Sequence, residues 1–150
     1  MVTVDYYAGV GYALELLARS EYHRQFQLGR YLRVEVLPAL HSSQSRFYLN
    51  GDSIPVGMVT WAWLSPQVEA EIHQTGRALA QPEWNCGDRL FFNDWITPYQ
   101  NMREVLHDMT YVVFPDKVAT SLRRNQDRSV RRINKWTGIE LRRARERVVV

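Results

Sequence analysis

"SRFYLNGDSIPVGMVTWAWLS", residues 45–65, is where the pattern of this chain changes from helical to extended. Two runs rich in aromatic and β-branched residues flank Asn50-Gly51. Asn-Gly between such runs is the strongest short hairpin signal, because both residues tolerate the left-handed backbone of a tight turn. The stretch therefore predicts two strands around that pair. Upstream the apolar period is helical instead. Val10, Ala13, Leu14 and Leu17 predict a helix over about residues 8–20, and Leu28, Tyr31, Leu32 and Leu37 predict a second, ended by Pro38.

Downstream, residues 66–80 read as a surface helix and "GDRLFFNDWITP" (87–98) as an alternating, aromatic-rich strand. Met102, Val105, Leu106 and Met109 mark a further helix. "KVATSLRR" (117–124) and "SVRRINKW" (129–136) read as two late strands joined by "NQD", while "IELRRARERVVV" (139–150) fits helix or strand. No repeat, low-complexity run or Pro/Gly/Ser-rich linker divides the chain, so residues 1–150 are expected to form one domain. The element order predicts an α+β fold with a largely antiparallel sheet covered by helices.

The charge is unevenly placed. Residues 1–120 carry nine Lys/Arg against thirteen Asp/Glu, whereas residues 121–150 carry ten against three, a local balance of +7 within an overall +3. Such a segment attracts acidic partners, and arginine, seventeen of the nineteen basic residues, grips carboxylate or phosphate through two donors. An Arg-rich codon usage accounts for the same bias without a function. No apolar run approaches the roughly 20 residues that span a bilayer. The opening "MVTVDYYAGVGYALELLARS" has no basic start and is broken by Asp5 and Glu15, unlike a signal peptide. Cys86 is the single cysteine, so no intramolecular disulfide forms, and a reducing cytoplasm is the economical expectation.

Several chemistries lack their motifs. Neither G-x-G-x-x-G nor G-x-x-x-x-G-K occurs, nor a G-x-S-x-G elbow, nor the aromatic signature of an RNA-binding strand. His23, His41, His73 and His107 stand far apart with no cysteine pair, so no metal site is expected. Taken singly, His23 reads as a residue that complements a helix C-terminus, and Asp94 as a solvent-facing or turn-capping strand residue. Asp88 with Arg89 reads as an ion pair or turn, Trp61, Trp63 and Trp95 as core aromatics, and Cys86 as a thiol with no evident base beside it.

Three stretches change that balance: "LLARSEYH" (16–23), "VLPAL" through "Q.RFYL" to "IPVGMVTWAWLS" (36–65), and "WNCGDRLFFNDWITPY" (84–99). In order and spacing they resemble the RTX toxin-activating lysine acyltransferases of the haemolysin-activating type. The elements are a helix ending in Ser-x-x-His, a Leu-Pro-Ala segment, a Pro-Val-x-x-x-x-W-A strand and a Gly-Asp-Arg…Asp-Trp-Ile-x-Pro strand. The resemblance covers about residues 8–100 and is loose over the last fifty.

The resemblance implies a GNAT-like fold and transfer of a fatty acyl group from acyl carrier protein to lysine ε-amines of an RTX protoxin. No cofactor is implied besides that donor. The family's catalytic histidine and aspartate map onto His23 and Asp94, and its serine onto Ser20. Glu35 stands near the place where many relatives have Asn before Leu-Pro, so it is expected at the substrate with altered local charge. Some of Arg123, Arg124, Arg131 and Arg132 are expected to dock the acidic carrier, with Arg124 and Arg132 not necessarily on the face of Arg123 and Arg131, because alternate strand residues point the same way. A homodimer is compatible with this reading; nucleic acid and stable membrane insertion are not expected. The chemistry agrees independently. A lysine amine is protonated near neutrality, so aminolysis of a thioester needs a base, and an imidazole oriented by a carboxylate supplies one. The alternative is a non-catalytic adaptor or chaperone that binds an acidic protein or RNA through the Arg-rich segment.

Overall fold

The computed structural model of the chain describes residues 5–148. The helices are α1 (Tyr6–Arg19), α2 (Leu28–Tyr31), α3 (Leu37–His41), α4 (Pro66–Thr75), α5 (Met102–Asp108) and α6 (Ile139–Val148). Among the described residues one sheet holds, in chain order, β1 (Ser45–Leu49), β2 (Pro55–Leu64), β3 (Arg89–Ile96), β4 (Val118–Arg124) and β5 (Val130–Thr137). Neighbours are antiparallel except β3 and β4, which run parallel. A parallel pair needs a crossover, and α5 provides it. This is the expected α+β architecture, a mostly antiparallel sheet with flanking helices, and it is consistent with a GNAT-like fold. The segment that fitted helix or strand is helical over Ile139–Val148, and residues 149–150 lie outside the described ones.

The ten-residue β2 sets the two layers. Met58, Ala62 and Leu64 point to one face, against Leu16 and Leu17 of α1, Ala39 of α3 and Ile72 of α4. Val59, Trp61 and Trp63 point to the other, against Val105 of α5, Met109, Phe114 and Trp136. The tryptophans are thus packing residues, as the alternation predicts.

Strand β3 departs from strict alternation. Leu90, Phe91 and Phe92 pair with Trp63, Ala62 and Trp61, but the next pair is Asp94 with Thr60. Asn93 is therefore an extra residue, a β-bulge. Without it, Asp94 would share a face with Phe92. With it, Phe92 and Trp95 lie together in the aromatic layer, ring centroids 4.8 Å apart. Asn93 and Asp94 both turn toward the α1–α3 layer, where they meet Glu35 and His23. The parallel pairing of β3 with β4 ends at Phe91–Thr120, immediately before the bulge.

Two local expectations are corrected. The second helix does not end at Pro38. The backbone widens over Leu32–Val36, where Leu37 N–H bonds Leu32 O, and continues as α3 with Pro38 in its first turn. That wider turn accommodates the N–H that proline lacks and the clash its ring would make with the carbonyl four residues back. The surface helix ends at Thr75 rather than residue 80, because Gly76 adopts φ +69° and its N–H caps Ile72 O.

The hairpin forms where expected, though not as a two-residue turn. Asn50 Oδ1 accepts from the N–H groups of Asp52 and Ile54, Ser53 N–H bonds Asn50 O, and Ser53 is the left-handed residue at φ 61°. Gly51 is not among the positive-φ residues, and nothing lies within 4 Å of where its Cβ would sit. Gly51→Ala should therefore stabilise the fold by about 0.4–1 kcal/mol through the unfolded chain. Loss of stability in a denaturant titration would instead mean a two-residue turn that needs Gly51.

Candidate active site

α1 stops because Ser20 leaves helical geometry (φ −87°, ψ 113°), and the chain makes one tight turn, His23–Gln25, beneath the helix end. His23 is thereby folded inward rather than left capping the helix. Its side chain is 4% exposed, and the rings of Tyr22, Phe26 and Tyr31 surround it with centroids at 5.0, 6.5 and 5.5 Å.

Both imidazole nitrogens are engaged. Nε2 lies 2.9 and 3.1 Å from the two oxygens of Asp94, and Nδ1 lies 2.5 Å from Ser20 Oγ. A carboxylate only accepts, so the network assigns the proton to Nε2, which donates to Asp94. Nδ1 then carries the lone pair and accepts from the Ser20 hydroxyl. Asp94 also accepts from the Tyr31 hydroxyl and from Trp95 N–H at 2.8 Å. Burial, and next the Asp94 charge, push the Tyr31 phenol far above its usual range, so it stays protonated and keeps donating.

Glu35 sits one bulge residue away. Asn93 Nδ2 donates to its Oε2 at 2.8 Å, and Oε1 has no hydrogen-bond partner. Burial raises its carboxyl above the ordinary range and Asp94 adds to this; the Asn93 bond and the charges of Arg124 and Arg128 oppose the shift. Tyr31 and Glu35 stand four residues apart on one helical run, hence on one face, and they contact Asp94 and Asn93 respectively.

A cavity of about 570 Å³ opens beside this cluster, lined among others by Phe26, Tyr31, Glu35, Arg30, Arg77 and Arg128. The Phe26 and Tyr31 rings, stacked 5.1 Å apart, border both it and His23. Arg128, left-handed at φ 70°, lies 4.7 Å over the Phe26 ring. Arg77 is neutralised by ion pairs to Glu71 and Glu83, and its hydrogen bonds to Glu83 hold that carboxyl down at about 2.

Of the residues singled out in the sequence, Ser20, His23 and Asp94 form one hydrogen-bonded array, with Glu35 adjoining. Arg124 and Arg132 do not share a site. Arg124 is half-buried and donates to Gly76 O at 3.1 Å on the α4 side. Arg132 is exposed and directly opposite Arg123, on the face that holds Ala119 and Ser121. The bulge between Arg123 and Arg124 does not alter this, because alternation along β4 already separates them. Cys86 is exposed and remote from the array, its sulfur accepting only from Ser65 N–H at 3.4 Å. Among the described residues no group of three or more His, Cys, Asp or Glu is placed to hold a metal ion.

Tyr31 and Asn93 were legible only as helix stripe and strand filler. Their signals were a hydroxyl that needs a partner inside an apolar stripe, and two adjacent polar residues interrupting an alternating strand.

The model of the RTX toxin acyltransferase family matches residues 3–137. The leukotoxin-activating lysine-acyltransferase LtxC of Aggregatibacter actinomycetemcomitans is 32% identical over 129 residues, 86% of this chain and 75% of its own length. The lysine-acyltransferase RtxC of Vibrio cholerae is 26% identical over 137 residues, 87% of this chain and 88% of its own. An uncharacterised Synechocystis protein, sll0720, is 30% identical over 93 residues, and the match spans 63% of its length. The chain belongs to the RTX toxin acyltransferase family.

Proposed function

We propose that this protein is a protein-lysine fatty acyltransferase that carries an acyl chain from acyl carrier protein to lysine ε-amines of an RTX protoxin. The observation that carries the reading is the array Ser20–His23–Asp94, in which Nδ1 of the imidazole holds the one basic lone pair. Relatives named as toxin-activating lysine acyltransferases support the same reaction class. The single, exposed Cys86 suits the reducing cytoplasm in which such a donor would be met.

In this mechanism the neutral lysine nitrogen attacks the thioester carbonyl carbon, forming a C–N bond and a tetrahedral oxyanion. The nitrogen's proton passes to Nδ1 of His23 by way of the Ser20 hydroxyl 2.5 Å away. Asp94, bonded to Nε2–H, stabilises the imidazolium that results. Collapse breaks the C–S bond, and the imidazolium returns its proton to the departing thiolate, leaving an amide and a thiol. Tyr31 and Trp95 N–H keep Asp94 oriented toward the ring.

Carrier docking is assigned to the exposed Arg123, Arg131 and Arg132. Arg123 and Arg132 oppose each other across the β4–β5 ladder and have no carboxylate partner among the described ion pairs. Directly opposed like charges destabilise a sheet, and an acidic partner relieves them. Arg124, tied to Gly76 O, supports the site from within instead.

Purified protein, acyl carrier protein loaded with a fatty acid and a candidate RTX protoxin should together raise the protoxin's mass by whole acyl units. An unchanged mass with tight binding would favour the non-catalytic adaptor. His23→Ala and Asp94→Asn should each lower transfer by about 10²–10⁴-fold with native circular dichroism. A near-parental rate in either variant would remove that residue from the mechanism. The double reversal Arg123→Glu/Arg132→Glu should raise KM for the acyl carrier substrate and leave kcat intact, the gap narrowing as salt rises. An unchanged KM at low ionic strength would leave these arginines as a solvated face.

A further inference from the structure

We infer that the cavity beside the histidine is the port for the acceptor lysine, and that Oε1 of Glu35 receives its ε-ammonium group. The inference rests on the lysine acyltransferase reading and adds where, and by what, the acceptor is held.

Glu35 is 8% exposed, one of its oxygens is bonded to Asn93, and the other has no partner. Oε1 is not among the buried side-chain atoms that lack a partner, so it is an acceptor open to solvent rather than one sealed in the core. Glu35 also lines the cavity, so the open acceptor is available to what enters there. The walls it shares with Phe26, Tyr31 and Val34 suit a methylene chain with a cation at its end.

The other charges narrow the ligand. Arg77 is neutralised by Glu71 and Glu83, and Asp127 is turned to Ser129. Arg30 and Arg128 have no ion-pair partner among the described bridges. An anion would satisfy those two guanidiniums yet face Glu35 and leave Oε1 unpaired. An ammonium pairs with Oε1 directly, and the two arginines then favour acidic residues flanking the lysine. Position agrees with purpose. Glu35 is held by Asn93 and His23 by Asp94, consecutive residues of one bulge; the ammonium gives one proton to the Glu35 carboxylate, leaving a carboxylic acid and the neutral amine that attacks the thioester on the side of the imidazole.

The test separates acceptor binding from transfer. N-acetyl-lysine N-methylamide and its norleucine counterpart are titrated into the intact protein and followed by amide NMR shifts. The lysine compound should shift the signals of Tyr31, Glu35 and Arg128, and the norleucine compound should not. Glu35→Gln keeps the Asn93 bond and removes a buried charge, so it should fold with a melting temperature at pH 7 at or above the parent's. Because burial raises the Glu35 carboxyl in the folded state, that advantage should close below the ordinary glutamate range, about pH 4.3. The variant should bind the lysine compound about 10- to 100-fold more weakly, and raise KM for protoxin by a similar factor without changing KM for the acyl carrier substrate. Equal binding of lysine and norleucine compounds, or unchanged affinity in Glu35→Gln, overturns the port even if the protoxin is acylated. Shifts of the same signals by inorganic phosphate that survive in Glu35→Gln overturn it in favour of an anion site.

Discussion

One extra residue in β3 organises this molecule. A regular strand offers one side chain in two to a given face, so two adjacent polar residues cannot both face one layer on it. The bulge at Asn93 gives the α1–α3 layer two in succession, while Phe92 and Trp95 keep their places in the aromatic layer. Asp94 thereby reaches His23 and Tyr31, and Asn93 reaches Glu35. The bulge also falls where β3 stops pairing with β4, so the ladder is already open there.

The polar groups brought together are not equally well satisfied. Asp94 accepts from the imidazole, the Tyr31 hydroxyl and a backbone N–H, enough to offset its desolvation. A carboxylate so surrounded is a fixed counter-charge, suited to orienting an imidazole. Glu35, the more deeply buried of the two, has one donor and an open oxygen. Such a group keeps an acceptor free at the cavity it lines.

The cavity walls come from segments distant in sequence that are tied at Gly76. A Cβ there would lie 2.8 Å from Arg128 O, and Arg124 Nε donates to the Gly76 carbonyl. The β4–β5 loop is thus held against the end of α4, and Arg128 is brought over Phe26. Arg77, bidentate on Glu83, fixes the adjoining wall. Positive charge concentrated in the last thirty residues is in this way divided between the half-buried Arg124 and Arg128 on the cavity side and exposed arginines such as Arg123 and Arg132 on the other face of the sheet.

Local pattern was sufficient for much of this. Helical spacing in Val10–Leu17 and alternation in β2 report which face is buried, and burial on one face is what those periods record. The Ser-x-x-His and Asp-Trp-Ile stretches carried the family, and with it His23 and Asp94, because such motifs are read residue by residue. Three matters were decided only by tertiary structure. Asn93 and Tyr31 gain meaning from partners about sixty residues away, which no local period encodes. Arg124 and Arg132 part company because β4 packs one face on α4, an arrangement invisible in a run of arginines. The nitrogen of His23 that carries the lone pair follows from Asp94 approaching Nε2 and Ser20 approaching Nδ1. Sequence names the groups that can exchange a proton; only the packing of a strand bulge under a helix end determines which atom holds it.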